Sequence, residues 1–205
     1  IFKQSLTLLE NGKAKEHINP ASGLSLGYLT PDQTLWIPAE PNEKGRDKQV
    51  MVLGLDYLNS SALFDAATDN RTLDLVQLFL DDENIELFSK GQCFYKEGSP
   101  ADAQRASNPK LMHQDSAYFM FAKQGACATL NYSVDTSTDI DNGPLYVVPG
   151  SHRNGHIAHV DTPSHLGLAE NQGEPVDFPG ALVVNGEAGD AIFFNIHTVH
   201  GSTAN

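Results

Sequence analysis

The sequence is poor in basic residues and lacks long apolar segments. Its 205 residues include 13 Lys and Arg against 26 Asp and Glu, so the formal net charge is −13. A nucleic-acid groove needs basic side chains to neutralise phosphates, and an anionic membrane surface also attracts basic proteins. No apolar run reaches the roughly 20 residues that a membrane span requires. We therefore predict a soluble, cytoplasmic protein that binds neither nucleic acid nor membrane.

Cysteine is scarce as well. Cys93 and Cys127 are the only two cysteines, and they are too few and too far apart for a zinc ribbon or a disulfide framework. The remaining composition, 40% apolar and 19% charged, is typical of a globular protein, and the length favours a single domain.

The first part of the chain differs from the rest in its residue pattern. Turn-forming pairs such as Asn11-Gly12 and Asn19-Pro20 crowd the first 50 residues, which show no sustained helical periodicity. We predict that residues 1–60 form an irregular N-terminal arm and that residues 61–205 form the folded domain. Between residues 60 and 79 apolar side chains recur at helical spacing, with a break at Asp69-Asn70, which predicts two helices.

Short β-prone runs separated by Gly, Pro or Asn fill the chain from residue 85 onwards. The runs are 92–95, 117–121, 126–134, 145–148, 181–184 and 191–194. This pattern predicts a mainly β protein with flanking helices, built as an antiparallel sandwich or barrel. In 126–134 apolar residues alternate with small polar ones, so we expect the polar face of that strand to line a cavity.

One short motif carries metal-binding chemistry. His113 and Asp115 are separated by one residue, so on an extended backbone both side chains project from the same face. A second histidine elsewhere would complete the two-histidine, one-carboxylate triad of non-haem Fe(II) oxygenases. His197 and His200 are the candidates. On a regular strand the side chains of residues 197 and 200 face opposite sides of the sheet. This alternation does not decide which of the two faces His113.

Three ordered segments resemble a known family. They are HQDSAYF at 113–119, NGPLYVVPGSHR at 142–153, and GDAIFF at 189–194 followed by HGSTAN at 200–205. Together they resemble the phytanoyl-CoA dioxygenase superfamily, which includes ectoine hydroxylase. The resemblance implies a double-stranded β-helix core, that is, a cupin-like jelly roll. It also implies an Fe(II)- and 2-oxoglutarate-dependent dioxygenase that uses O2 to hydroxylate an unactivated C–H bond of a small molecule, with conversion of 2-oxoglutarate to succinate and CO2.

The resemblance also implies roles for individual residues. Iron would be held by His113, Asp115 and His200, which leaves His197 a structural role. The 2-oxoglutarate site would include Ser202, which matches the serine that binds the C5 carboxylate, and Thr129 and Asn131 on a pocket-lining strand. A carboxylate at position 115 favours hydroxylation, because related halogenases have Ala or Gly there.

Other histidines are expected to stay outside the metal site. By the same resemblance His152 is structural, whereas His156, His159 and His165 read as solvated or substrate-loop residues.

The family pattern leaves one expectation and two alternatives. The family's 2-oxoglutarate-anchoring arginine falls about ten residues after the second metal histidine. Because the given sequence ends at Asn205, we expect either that the chain continues or that it lacks this arginine and its last strand.

Two alternative functions stay open. They are a metal-free jelly roll that binds a small molecule without catalysis, and a cupin-type enzyme that uses another metal and no 2-oxoglutarate. The sequence does not indicate an oligomeric state.

Overall fold

The computed structural model describes residues 2–18, 23–39, 45–56, 61–87, 90–94, 109–119, 128–132, 143–162, 165–171 and 173–204. The chain divides into two compact units. The first contains Ile1–Asp74 and Ile85–Ser107, and the second contains Leu75–Asn84 and Asn108–Asn205.

The first unit contains a helix near its start and a five-stranded antiparallel sheet. Helix α1 covers Phe2–Glu10. The strands are β1 (Lys15–Ile18), β2 (Ser25–Leu29), β3 (Leu35–Pro38), β4 (Lys48–Asp56) and β5 (Lys90–Cys93). They follow one another in the order β1-β2-β3-β4-β5, so each strand pairs with its neighbour in the described sequence.

A buried tryptophan organises the core of this unit. Trp36 is fully buried and clusters with Val50 and Leu53, while apolar residues of α1 pack against the cluster. The Trp36 indole Nε1 donates a hydrogen bond to the Ser5 hydroxyl at 3.1 Å, so the one polar atom of the ring is satisfied without exposure to water.

The irregular structure predicted for residues 1–60 is therefore wrong for the described part of that segment. Turn residues such as Asn11-Gly12 do form a turn, but it joins α1 to β1. The strands are only four to nine residues long, so turn residues recur often without disturbing the sheet. The domain boundary expected near residue 60 remains a prediction.

The two helices predicted after residue 60 are confirmed. Helix α2 covers Ser61–Ala67 and helix α3 covers Asn70–Leu80. The Asp69 carboxylate accepts a hydrogen bond from the Arg71 backbone N–H at 2.9 Å, which caps the start of α3. Within the described ranges, no helix has both the length and the apolar character needed to cross a bilayer.

The second unit holds the remaining strands. They are β6 (Lys110–His113), β7 (Ala128–Tyr132), β8 (Leu145–Val147), β9 (His159–Asp161), β10 (Leu166–Leu168), β11 (Leu182–Val183), β12 (Ala191–Asn195) and β13 (His200–Ser202). A four-stranded sheet has the order β11-β8-β13-β6, and β9–β10 and β7–β12 form two-stranded sheets. All pairs are antiparallel, as expected for the predicted mainly β architecture.

One predicted strand has a different structure. In the described part of 117–121, a 3-10 turn at Asp115–Ala117 ends and no strand follows. The strand predicted at 191–194 is confirmed as β12, but β12 ends at Asn195, and a turn follows in which the Thr198 N–H donates to the Asn195 carbonyl at 2.8 Å. The parity comparison of His197 with His200 therefore does not apply, since the two residues do not share a strand.

Strands β6 and β13 approach each other closely. His113 pairs with His200 and Lys110 pairs with Ser202, so β6 fits one more residue than β13 between the two pairs and the ladder is irregular there. A Cβ atom placed on Gly201 would lie 2.7 Å from the Lys110 carbonyl oxygen and 2.8 Å from the Met112 sulfur. The two strands can therefore pair at this distance only because residue 201 is glycine, which has no Cβ atom.

We predict that Gly201→Ala destabilises the protein by about 1–3 kcal/mol, because the methyl group must push β13 away from the β6 backbone. The control is Gly186→Ala, whose Cβ would meet only the side chain of Asp190, at 3.3 Å, at a half-buried position in the loop between β11 and β12. Urea denaturation followed by circular dichroism measures the difference. Equal unfolding midpoints for the two variants would contradict the close approach.

Candidate metal centre

Three chemically suitable side chains come from two neighbouring strands and the turn after one of them. His113 is the last residue of β6, and His200, the first residue of β13, lies opposite it. Asp115 begins the 3-10 turn, and between them Gln114 is extended, with φ −122° and ψ 139°. Because one extended residue separates them, His113 and Asp115 project to the same side, as the sequence predicted.

The ligand atoms of these residues converge. The Asp115 Oδ1 lies 3.9 Å from the His113 Nε2 and 3.6 Å from the His200 Nε2. All three ligand atoms lie within 4.8 Å of one another. An ion about 2.1 Å from each donor, bound on one octahedral face, would need donors about 3 Å apart. Small side-chain rotations close that difference, so the residues fit a metal ion.

Both imidazole rings are oriented by their own backbone. The His113 Nδ1 lies 2.8 Å from the Leu111 carbonyl, and the His200 Nδ1 lies 2.9 Å from the Thr198 carbonyl. Since a carbonyl only accepts, each Nδ1 carries the proton and each Nε2 keeps its lone pair. Both lone pairs are then available for a cation beside Asp115.

Burial keeps His113 in the form that binds metal. His113 is 8% exposed and His200 is 6% exposed. Burial lowers the pKa of His113 well below its usual value, and the neighbouring imidazoles of His200 and His165 lower it further. His113 is therefore neutral at physiological pH, and a neutral imidazole is the species that coordinates a metal.

Aromatic and imidazole rings surround the two histidines. The ring of Phe194, on β12, lies 4.7 Å from the His200 ring, centroid to centroid. Tyr118 contacts His113 edge-on at 6.1 Å, and its hydroxyl oxygen accepts a hydrogen bond from the Leu166 N–H at 2.8 Å. Burial raises the pKa of Tyr118 to about 12, so its hydroxyl stays protonated.

The three histidines predicted to be solvated or substrate-loop residues contact the segment that carries His113 and Asp115. The His165 ring lies 5.0 Å from that of His113, and its Nε2 donates to the Leu111 carbonyl at 3.0 Å. Burial lowers the pKa of His165 to about 4. His159 Nε2 accepts a hydrogen bond from the Gln114 N–H at 2.9 Å, and His156 Nδ1 lies 2.9 Å from the Ser116 hydroxyl.

The solvated interpretation is therefore wrong for His159 and His165, whose rings pack beside the ligand segment, while His156 is exposed but contacts Ser116. Sequence reasoning missed these histidines because polar residues surround them in the chain. The signal that could have found them is the presence of three histidines within one short segment.

Two other histidines lie apart from the converging atoms. His152 is exposed in the 3-10 turn Ser151–Asn154. His197 is buried, but its ring is not part of the converging group, and its backbone carbonyl accepts a hydrogen bond from the Gln114 side chain at 2.6 Å. Within the described ranges, His113, Asp115 and His200 form the one histidine, cysteine and acid group that could hold a metal.

The residues expected to bind a cosubstrate lie on two separate strand pairs. Ser202 is half-buried on β13 and pairs with Lys110, which is 6% exposed. Sequence reasoning did not select Lys110. Thr129 and Asn131 are on β7, opposite Phe194 and Ile192 of β12, and their side chains lie outside the described part of the structure.

Three solved structures with a similar fold contain bound small molecules. The epimerase SnoN, complexed with Fe3+, alpha-ketoglutarate and nogalamycin RO, has a TM-score of 0.54 and 21% identity, over 100% of this chain and 66% of SnoN. EvdO2 from Micromonospora carbonacea var. aurantiaca, complexed with 2-oxoglutarate, has a TM-score of 0.56 and 15% identity, over 100% of this chain and 74% of EvdO2. EctD from S. alaskensis, with 2-oxoglutarate and 5-hydroxyectoine, has a TM-score of 0.58 and 20% identity, over 99% of this chain and 60% of EctD.

These similarities confirm the predicted cupin-like jelly-roll fold. The chain spans less than two thirds of the length of SnoN and of EctD. No curated protein sequence matches the chain. The family model for phytanoyl-CoA dioxygenase (PhyH) matches residues 28–205, which is most of the chain and includes all three converging side chains. This chain therefore belongs to the phytanoyl-CoA dioxygenase family.

Proposed function

We propose that this protein is an Fe(II)- and 2-oxoglutarate-dependent dioxygenase that hydroxylates a C–H bond of a small molecule. The observation that carries the proposal is the convergence of His113, Asp115 and His200 in a chain of the phytanoyl-CoA dioxygenase family. Two neutral imidazoles and one carboxylate on one face of an ion are the donor set of non-haem Fe(II) oxygenases. They leave the opposite face open for 2-oxoglutarate and O2.

The protein's own residues supply position and exclusion of water. Bound iron, together with 2-oxoglutarate and O2, would supply the oxidising chemistry, with succinate and CO2 as products. His113 and His200 would hold the metal through Nε2, since their Nδ1 atoms are engaged with backbone carbonyls. Phe194 and Tyr118 would wall the site, since their rings lie beside those of His200 and His113.

The substrate proposal stays at the level of a small molecule. The SnoN structure contains nogalamycin RO, and the EctD structure contains 5-hydroxyectoine. Two relatives of the same fold that bind such different compounds support a small-molecule substrate without selecting one.

The cosubstrate is proposed to lie beside β13. Ser202 would donate a hydrogen bond to the C5 carboxylate of 2-oxoglutarate, and Thr129 and Asn131 would line the same pocket. Lys110 would add a cation at this place, because it is buried and pairs directly with the half-buried Ser202 in the β6–β13 ladder. A hydrogen bond between charged groups is roughly twice as strong as one between neutral groups.

We expect His113→Ala and Asp115→Ala to weaken Fe(II) binding strongly and to abolish succinate formation, because each removes one of three ligands. Anaerobic addition of Fe(II) and 2-oxoglutarate should give the wild type a weak visible metal-to-ligand band, which both variants should lack. The control is His152→Ala, an exposed histidine that should leave the band unchanged. Succinate formation by either ligand variant at the wild-type rate would refute the assignment. A wild type without the band would favour the non-catalytic jelly roll.

We expect Lys110→Met to weaken 2-oxoglutarate binding by about tenfold to a hundredfold, because a hydrogen bond to a charged group contributes roughly 1.5–3 kcal/mol. Calorimetric titration of 2-oxoglutarate into the Mn(II)-loaded protein measures this affinity, and Mn(II) affinity measured separately should change little. Lys15→Met, on the exposed side of β1, is the matched control. Unchanged 2-oxoglutarate affinity in Lys110→Met would remove this lysine from the cosubstrate site.

A further inference from the structure

Gln114 lies between two proposed metal ligands but faces away from them. Its neighbours His113 and Asp115 project to one side of the extended backbone, so its side chain projects to the other. It is 0% exposed, and a fully buried amide needs partners for its polar atoms.

The Gln114 amide joins three chain segments. Its Nε2 donates to the Gly155 carbonyl at 2.9 Å and to the His197 carbonyl at 2.6 Å, which uses both amide protons. Its Oε1 accepts a hydrogen bond from the Ile157 N–H at 2.8 Å. One side chain therefore connects the His113–Asp115 segment to residues 155–157 and to the turn that leads into His200.

The backbone of Gln114 is held as well. Its N–H donates to His159 Nε2 at 2.9 Å, and His159 Nδ1 lies 2.6 Å from the Ile157 carbonyl. Because the carbonyl only accepts and the Gln114 N–H only donates, His159 carries its proton on Nδ1 and accepts with Nε2. The same segment, 155–159, thus holds both the side chain and the main chain of Gln114.

Ser116 is also hydrogen-bonded to the turn before β13. The Ser116 N–H donates to the Ile196 carbonyl at 3.0 Å. Residues 114 and 116 are therefore tied to the 196–197 turn, while residues 113 and 115 face the site. The position of that turn sets where β13 begins, and β13 begins with His200.

We propose that Gln114 is a positioning residue that holds His113 and Asp115 in register with His200 for metal binding. The inference rests on the proposed metal centre. Gln114 contacts none of the reacting atoms, so it acts through the ligands. Groups behind metal ligands commonly change metal affinity by 10- to 100-fold when they are removed. A merely structural amide would instead lower the stability of the fold and leave the metal affinity of the folded protein unchanged.

The test measures Mn(II) affinity by electron paramagnetic resonance, with Mn(II) as a stable substitute for Fe(II). Gln114→Met keeps the length and volume of the side chain but removes all three hydrogen bonds. Gln114→Glu keeps the acceptor for the Ile157 N–H and removes the donors to Gly155 and His197. We expect Mn(II) affinity to fall at least tenfold in both variants, with a broadened spectrum for the ion that remains bound.

Val50→Ala is the control for lost stability. Val50 is 1% exposed, packs with Trp36 and Leu53 in the core of the first unit, and forms none of the bonds around Gln114. This variant should unfold at a lower temperature and bind Mn(II) as tightly as the wild type.

A second pair of variants acts from the other side of the connection and serves if Gln114→Met does not fold. His159→Phe removes the acceptor for the Gln114 N–H and should weaken Mn(II) binding. His159→Gln offers an amide oxygen near the place of Nε2 and should restore most of the affinity.

The outcomes separate this inference from the proposed function. If the wild type binds Mn(II) and Gln114→Met and Gln114→Glu bind it within twofold of the wild type, the positioning role is wrong and the metal centre stands. Equal affinities for His159→Phe and His159→Gln would overturn the role in the same way. If the wild type binds no Mn(II), the metal centre itself fails, and the inference fails with it.

Discussion

The antiparallel pairing of β6 with β13 is the interaction on which the metal centre depends. It places His113 directly opposite His200, although the two residues lie far apart in the chain. The pairing is possible at this distance because residue 201 is glycine and leaves room for the β6 backbone. Met112 and Val199, which precede the two histidines, are buried together in the core of the unit and hold the two strands from behind.

A single local geometry recurs in three histidines with different outcomes. In His113, His159 and His200 the ring Nδ1 contacts the backbone carbonyl two residues earlier, at 2.6–2.9 Å. This local contact fixes the tautomer and turns Nε2 outward in each case. What Nε2 then meets is decided by the fold. In His113 and His200 it faces Asp115, and in His159 it faces a backbone N–H.

The histidine-rich segment from 156 to 165 supports the site from two sides. His159 holds the main chain beside His113, and His165 shares the Leu111 carbonyl with the His113 ring. Buried polar groups are stabilising only when their partners are in place, and here the partners come from β9, β10 and the turns around them. A metal site of three ligands thus depends on a larger set of neutral, hydrogen-bonded groups.

The sequence by itself determined the local features. Asp69-Asn70 separates two helices, short β-prone runs form most of the predicted strands, and His113 shares a face with Asp115 because one extended residue lies between them. Family motifs further selected His200 over His197. These features depend on residues close in the chain, or on motifs that can be recognised without coordinates.

Tertiary structure decided the rest. Because a turn follows Asn195, His197 and His200 do not lie on one strand, and the alternation of side chains along a strand does not relate them. The strands before residue 57 are stabilised by the buried cluster around Trp36. The hydrogen-bond partners of Gln114 lie 41 to 83 residues away along the chain. Hydrogen bonds between such distant residues leave no periodic signal in the sequence, because each needs the whole unit to be folded before donor and acceptor meet.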